Sequence, residues 1–138
     1  MDTPTSLSTR PTVRSIALDC PDTLALAGFY GELLGLQVHP DSDADWALIM
    51  LPGGVRLAFQ HVDDYVAPQW PDGAPQQAHL DLTAPDLDAH HAQALSAGAV
   101  PVDPDETREQ TVERGWRVYL DPAGHPFCLC TPGGGAWV

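Results

Sequence analysis

Positive charge is scarce in this chain. Six Lys and Arg stand against 19 Asp and Glu among 138 residues, giving a formal charge of −13. Such a field repels phosphate backbones and anionic surfaces, so neither nucleic acid nor a membrane is expected as a partner. Cysteine is sparse too. Cys20, Cys128 and Cys130 are odd in number and lack C-x-x-C spacing, which argues against a disulfide framework and a zinc ribbon and for reduced thiols. No apolar run approaches the roughly 18 residues of a membrane span, and the first residues lack the apolar stretch of a signal peptide. A cytoplasmic protein with a flexible leader over 1–12 is expected.

What the chain does have is an internal repeat. Residues 14–36 and 78–99 share one plan: a short alternating strand, a Pro-Asp turn, an amphipathic helix and a glycine stop. Asp22 precedes Asp86 by 64 positions, and Gly35 precedes Gly98 by 63. Downstream, Trp46, Pro52 and Gly54 precede Trp116, Pro122 and Gly124 by 70. Two copies at so long a period make a pseudo-symmetric single domain rather than a solenoid. At 138 residues, 43% of them hydrophobic, such a domain buries roughly two-thirds of its unfolded surface.

Alternation places Ile16 and Leu18 on one face of the first strand and Ser15, Ala17 and Asp19 on the other. Asp22 or Thr23 caps a helix that Gly35 ends. Strands follow at 37–40, 46–51 and 55–62, the last two joined by Pro52-Gly53-Gly54. Residues 63–77, rich in proline, read as a connector whose Tyr65 and Trp70 could cover a cavity. In the second half, Leu80 and Leu82 face the helix while His79, Asp81 and Thr83 face away. Asp86 opens the second helix, Leu87, His91, Ala94 and Leu95 line its buried stripe, and Gly98 closes it. A short strand at 100–103, a polar excursion at 104–114 and a hairpin through Asp121–His125 complete the copy. His90 and His91 point roughly 100° apart on their helix and cannot jointly hold an ion. His125 is read as a turn residue, and His61 as lying near a cleft mouth.

The FYGELLGL helix end, the HLDL strand, the SAGA helix close and the DPAGHPFCL hairpin resemble the vicinal oxygen chelate superfamily of glyoxalases, extradiol dioxygenases and bleomycin-resistance proteins, and within it the small actinobacterial glyoxalase-like domains. The resemblance covers roughly 12–132. It implies an α+β fold: two βαβββ modules forming a U-shaped eight-stranded mixed sheet around a cleft, with helices outside. One domain over 13–132 follows, with module 1 at about 13–62, the connector at 63–77, module 2 at about 78–131 and a tail at 133–138. It also implies a homodimer.

In metal-dependent relatives of this kind, four inward side chains hold a divalent ion. The resemblance places two of them on His79 and Cys128, and the repeat offsets of 64 and 70 carry the other two to Ser15 and Ala58. Two of the four are poor ligands or none, so no complete metal site is expected. His79 and Cys128 remain as metal candidates for zinc, nickel or manganese, with Asp19 or Asp81 as helpers, and as catalytic candidates in which His79 serves as base to the Cys128 thiol. The expected function is small-molecule binding of the bleomycin-resistance type. His79, Asp81, Asp19, Gln60, Trp46, Trp70, Trp116 and Cys128, with Tyr119, are the expected ligand-binding residues. A glyoxalase-like lyase, isomerase or dioxygenase-type enzyme using metal around His79 is one alternative, and a dimeric interaction module without ligand is another.

Overall fold

The structure is a computed structural model that describes residues 10–69, 72–103 and 115–133. Trp70, most of the leader, the excursion at 104–114 and most of the tail lie outside the described residues. Module 1 contains β1 (Ser15–Cys20), α1 (Thr23–Leu34), β2 (Trp46–Met50) and β3 (Arg56–His61); module 2 contains β4 (Leu80–Thr83), α2 (Leu87–Ala97), β5 (Val100–Asp103), β6 (Trp116–Leu120) and β7 (Pro126–Cys130).

Both helices begin and end by the same local chemistry. Asp22 Oδ1 accepts the Ala25 N–H at 3.0 Å, and Asp86 Oδ1 accepts the Ala89 N–H at 3.1 Å. Each satisfies a donor that the first helical turn leaves without a partner. At the other end Gly35 (φ 68°) and Gly98 (φ 116°) enter the left-handed region, and the next residues, Leu36 and Ala99, donate back to Gly31 and Ala94. A side chain at either glycine would meet the left-handed steric penalty.

The strands form two sheets, of order β1-β3-β2 and β4-β7-β6-β5. Each sheet runs its first strand parallel to its last and closes with an antiparallel hairpin. The described residues thus hold seven strands in two sheets where one eight-stranded sheet was expected. The difference in strand number lies at 37–40. Val38 makes only an isolated bridge to Ile49, Pro40 offers no N–H, and the Leu48 N–H is taken at 3.1 Å by Ser42 Oγ instead of a strand carbonyl.

The helix-side faces of both sheets share one core. Tyr30 stacks on Phe59 with ring centroids 5.8 Å apart and meets Phe127 of the other module at 6.0 Å. Phe29 meets Phe127 at 5.8 Å, and Tyr119 stacks on Phe127 at 5.3 Å. Such aromatic pairs add about 0.5–1.5 kcal/mol each beyond their area burial. Parity sets the faces: Leu57 and Phe59 point to the helix side with Leu18 of β1, and Arg56, Ala58 and Gln60 point the other way, where Ala58 is buried all the same.

Candidate functional site

The faces turned away from the helices carry the residues expected to bind ligand, in two groups. On the first sheet Asp19, Gln60 and Trp46 stand in one register row. On the second, Asp81 and Cys128 share a row with Val118, while Trp116 lies in the row of Cys130 and Thr83. Tyr119 is a correction. It sits three positions from Trp116, so alternation sends it to the opposite face, where it is fully buried with its hydroxyl 2.7 Å from His91 Nδ1.

His79, Asp81 and Cys128 come together. One ligand atom from each lies within 4.8 Å of the others, and His79 Nε2 is 3.2 Å from Asp81 Oδ1. The strand period accounts for this, because residues 79 and 81 share a face and Cys128 is the register partner of Asp81. Cys130, one step along the same face, is pushed up in pKa, first by burial and then by the Asp81 charge. The family's four metal places do not fit this chain: Ala58 carries no donor and is fully buried, which leaves module 1 with the Ser15 hydroxyl alone. The donors that exist are the nitrogen, oxygen and sulfur of the second module's cluster.

A different polar centre, read from sequence only as a turn, lies in the 121–125 hairpin. Asp121 is 3% exposed. Its Oδ1 accepts the Ala123 and His125 backbone N–H groups at 2.9 and 3.0 Å, and its Oδ2 accepts the Tyr30 hydroxyl at 2.7 Å. His125 Nδ1 donates to the same carboxylate at 2.8 Å. On the far side of the ring, Nε2 lies 2.7 Å from the Asp19 carbonyl and 3.1 Å from the Tyr65 hydroxyl. A carboxylate on one nitrogen and a carbonyl on the other are both acceptors, so both nitrogens must carry protons and His125 is an imidazolium. Burial opposes that charge, but the Asp121 hydrogen bond and charge outweigh it and raise the His125 pKa above its ordinary value. Burial followed by the Asp121 charge pushes the Tyr65 phenol up to about 12, and burial with the same charge raises Tyr30 further.

The first module repeats this turn without its charges. Leu51 N–H donates to the Val55 carbonyl at 2.9 Å and Gly54 N–H to Leu51 at 3.0 Å, as Asp121 N–H donates to His125 and Gly124 N–H to Asp121, both at 2.9 Å. Leu51 and Val55 thus occupy the places of Asp121 and His125. The sequence signal for the polar centre was this swap of an apolar pair for an acid and a base at an offset of 70.

A cavity of about 250 Å³ opens beside this centre, between β1 (Ala17, Leu18, Asp19), the connector (Tyr65, Val66, Gln76) and His125. Of the described residues expected to bind ligand, Asp19 alone lines it. A second cavity of about 260 Å³, on the open face of the first sheet, is lined by Trp46 with His39, Met50 and Arg56. Gln60, Trp116, His79, Asp81 and Cys128 line neither of the two. His61 bonds the Pro21 carbonyl and Asp63 and lines neither as well.

No helix among the described residues is long and apolar enough to cross a membrane. Solved structures share the fold. They include "Oxidase ChaP-H2" (23% identity, TM-score 0.66, covering 91% of this chain and 97% of that one). A glyoxalase/bleomycin resistance protein/dioxygenase family enzyme from Burkholderia phytofirmans PsJN is 17% identical, with a TM-score of 0.65 and coverage of 88% and 98%. TnmS3, an antibiotic binding protein from Streptomyces sp. CB03234, is 22% identical, with a TM-score of 0.55 and coverage of 90% and 98%. No curated protein matches the chain. The glyoxalase-like domain family matches residues 15–130, and with the duplicated strand-helix-strand plan above it, this chain belongs to that family and to the vicinal oxygen chelate superfamily.

Proposed function

We propose that the protein binds a small organic molecule without a metal, in the cavity between β1 and the connector. The observation that carries this reading is the wall of that cavity, where an ordered Asp121–His125–Tyr65 chain stands among apolar side chains. Ligand sites typically combine apolar walls with a few fixed polar groups. At about 250 Å³ the space lies just under the roughly 300–1,000 Å³ of drug-sized sites, so the ligand is a small one. The antibiotic-binding description of TnmS3 is in keeping with a binding role on this fold. Native mass spectrometry of the purified chain tests it, with an Ala17→Trp variant that fills the cavity. A bound small molecule retained by the parent and lost by the variant is the expected result; equal retention by both would sink the assignment.

A second reading is favoured by the His79–Asp81–Cys128 cluster, whose mixed donors suit zinc or another borderline ion with one position open. Here the protein is a glyoxalase-like enzyme working on the open face of the second sheet. Metal analysis, with melting curves in zinc, nickel and manganese, separates the two readings, since an ion held only by the folded state must raise the melting temperature. The homodimer belongs to either reading, supported by Trp46 and Met50, which stand 39% and 43% exposed on one face; light scattering checks it.

A further inference from the structure

We infer that the cavity beside His125 selects an uncharged carboxamide or lactam group, an inference that rests on the binding reading above. His125 Nε2–H donates to the Asp19 carbonyl and to the Tyr65 oxygen, so the Tyr65 hydroxyl acts there as an acceptor and its own proton is left to be given. Among the described residues the Tyr65 hydroxyl has no hydrogen-bond partner other than His125. On the connector side, the Gln76 Oε1 is buried and has no hydrogen-bond partner among the described residues. A buried acceptor left unmade costs about 1–3 kcal/mol, which a ligand donor would recover.

Beside the exposed Asp19 carboxylate and the amide groups of Gln76 and Gln77, the cavity offers a donor in Tyr65 O–H and a buried, unpartnered acceptor in Gln76 Oε1, between walls of Ala17, Leu18, Val66 and Pro75. A carboxamide or lactam carries the complementary pair, a carbonyl for Tyr65 and an N–H for Gln76. Charged ligands fare worse. The one fixed cation in the wall, His125, is already neutralised by Asp121 at 2.8 Å, so an anion finds no free counter-charge. An ammonium would be stripped of water beside that imidazolium and among apolar side chains. Asp19 is exposed, and solvent screens its carboxylate.

Three probes of similar size test this with the full chain at pH 7: benzamide, benzoate and benzylammonium, titrated by NMR with the Tyr65 ring and Gln76 side-chain amide signals as reporters. Benzamide is expected to shift those signals saturably and to bind at least tenfold more tightly than either ion. Tyr65→Phe and Gln76→Leu are each expected to weaken benzamide at least fivefold while the backbone spectrum stays folded. Equal affinity for the ions, or unchanged benzamide affinity in both folded variants, overturns the selectivity and leaves the binding cavity standing. Failure of all three probes to perturb the cavity signals overturns the cavity reading along with it.

Discussion

Replacing Asp121 by Asn keeps the size of the side chain and removes its charge. One amide oxygen can still accept from the Ala123 and His125 backbone N–H groups, but an NH₂ now stands where Oδ2 met Tyr30 and His125. Tyr30 can turn its hydroxyl round to accept. His125 can keep its contact only by giving up the Nδ1 proton, which leaves a neutral ring still donating from Nε2 to the Asp19 carbonyl. The loss is that of a hydrogen bond to a charged group, about 1.5–3 kcal/mol, or roughly 5–10 °C of melting temperature for a domain of this size.

The pH dependence carries the sharper test. In the parent, the folded pKa of His125 is raised above its unfolded value near 6.5. Its contribution is therefore fully present below pH 6.5 and is lost as pH rises through the raised folded value. In Asp121→Asn the buried ring has lost its counter-charge and folds as the neutral form, so acid now penalises the variant. The stability gap measured by urea unfolding should be largest near pH 5.5 and shrink steadily toward pH 9. Parallel stability curves for parent and variant across that range would refute the imidazolium assignment, as would parent ¹⁵N shifts showing a neutral His125 ring at pH 6.

Three further outcomes follow from packing and caps. Phe127→Ala removes the ring on which Phe29, Tyr30 and Tyr119 converge and should cost about 3–5 kcal/mol in urea unfolding. Gly31→Ala puts a Cβ 2.9 Å from the Leu36 carbonyl oxygen, which is backbone and cannot swing aside; a loss of about 1–3 kcal/mol is expected, where an open helix position would gain from the change. Asp86→Ala deletes the acceptor for the Ala89 N–H, costing about 1 kcal/mol and speeding amide exchange in the first turn of α2.

The features legible in the sequence are those decided by near neighbours. Caps at Asp22 and Asp86 and stops at Gly35 and Gly98 depend on positions a few steps away, and the structure keeps them, as it keeps the alternation of β1 and β4. The same alternation places Trp46 and Trp116 opposite the helices, while Tyr119, at odd spacing from Trp116, belongs to the core. The His79–Asp81–Cys128 cluster is half local: two members share a strand face, and the third, expected from the family resemblance, arrives by the parallel pairing of β4 with β7. What stayed hidden rests on distant pairings. Tyr30 meets Asp121 across 91 positions and His125 meets the Asp19 carbonyl across 106, and no local pattern around Asp121 announces either partner. The strand at 37–40 was misread for a related reason, since Ser42 supplies with a side chain what a pairing strand supplies with its backbone.

The shared core has a consequence for how the two halves stand as units. Phe29 and Tyr30 belong to one repeat and Phe127 to the other, yet each is buried by its counterpart. Neither repeat closes over its own apolar face, so a cut in the connector should yield two fragments that are soft apart and structured together. Duplication here has turned two copies into mutual obligates, and the smallest thing that folds is the pair.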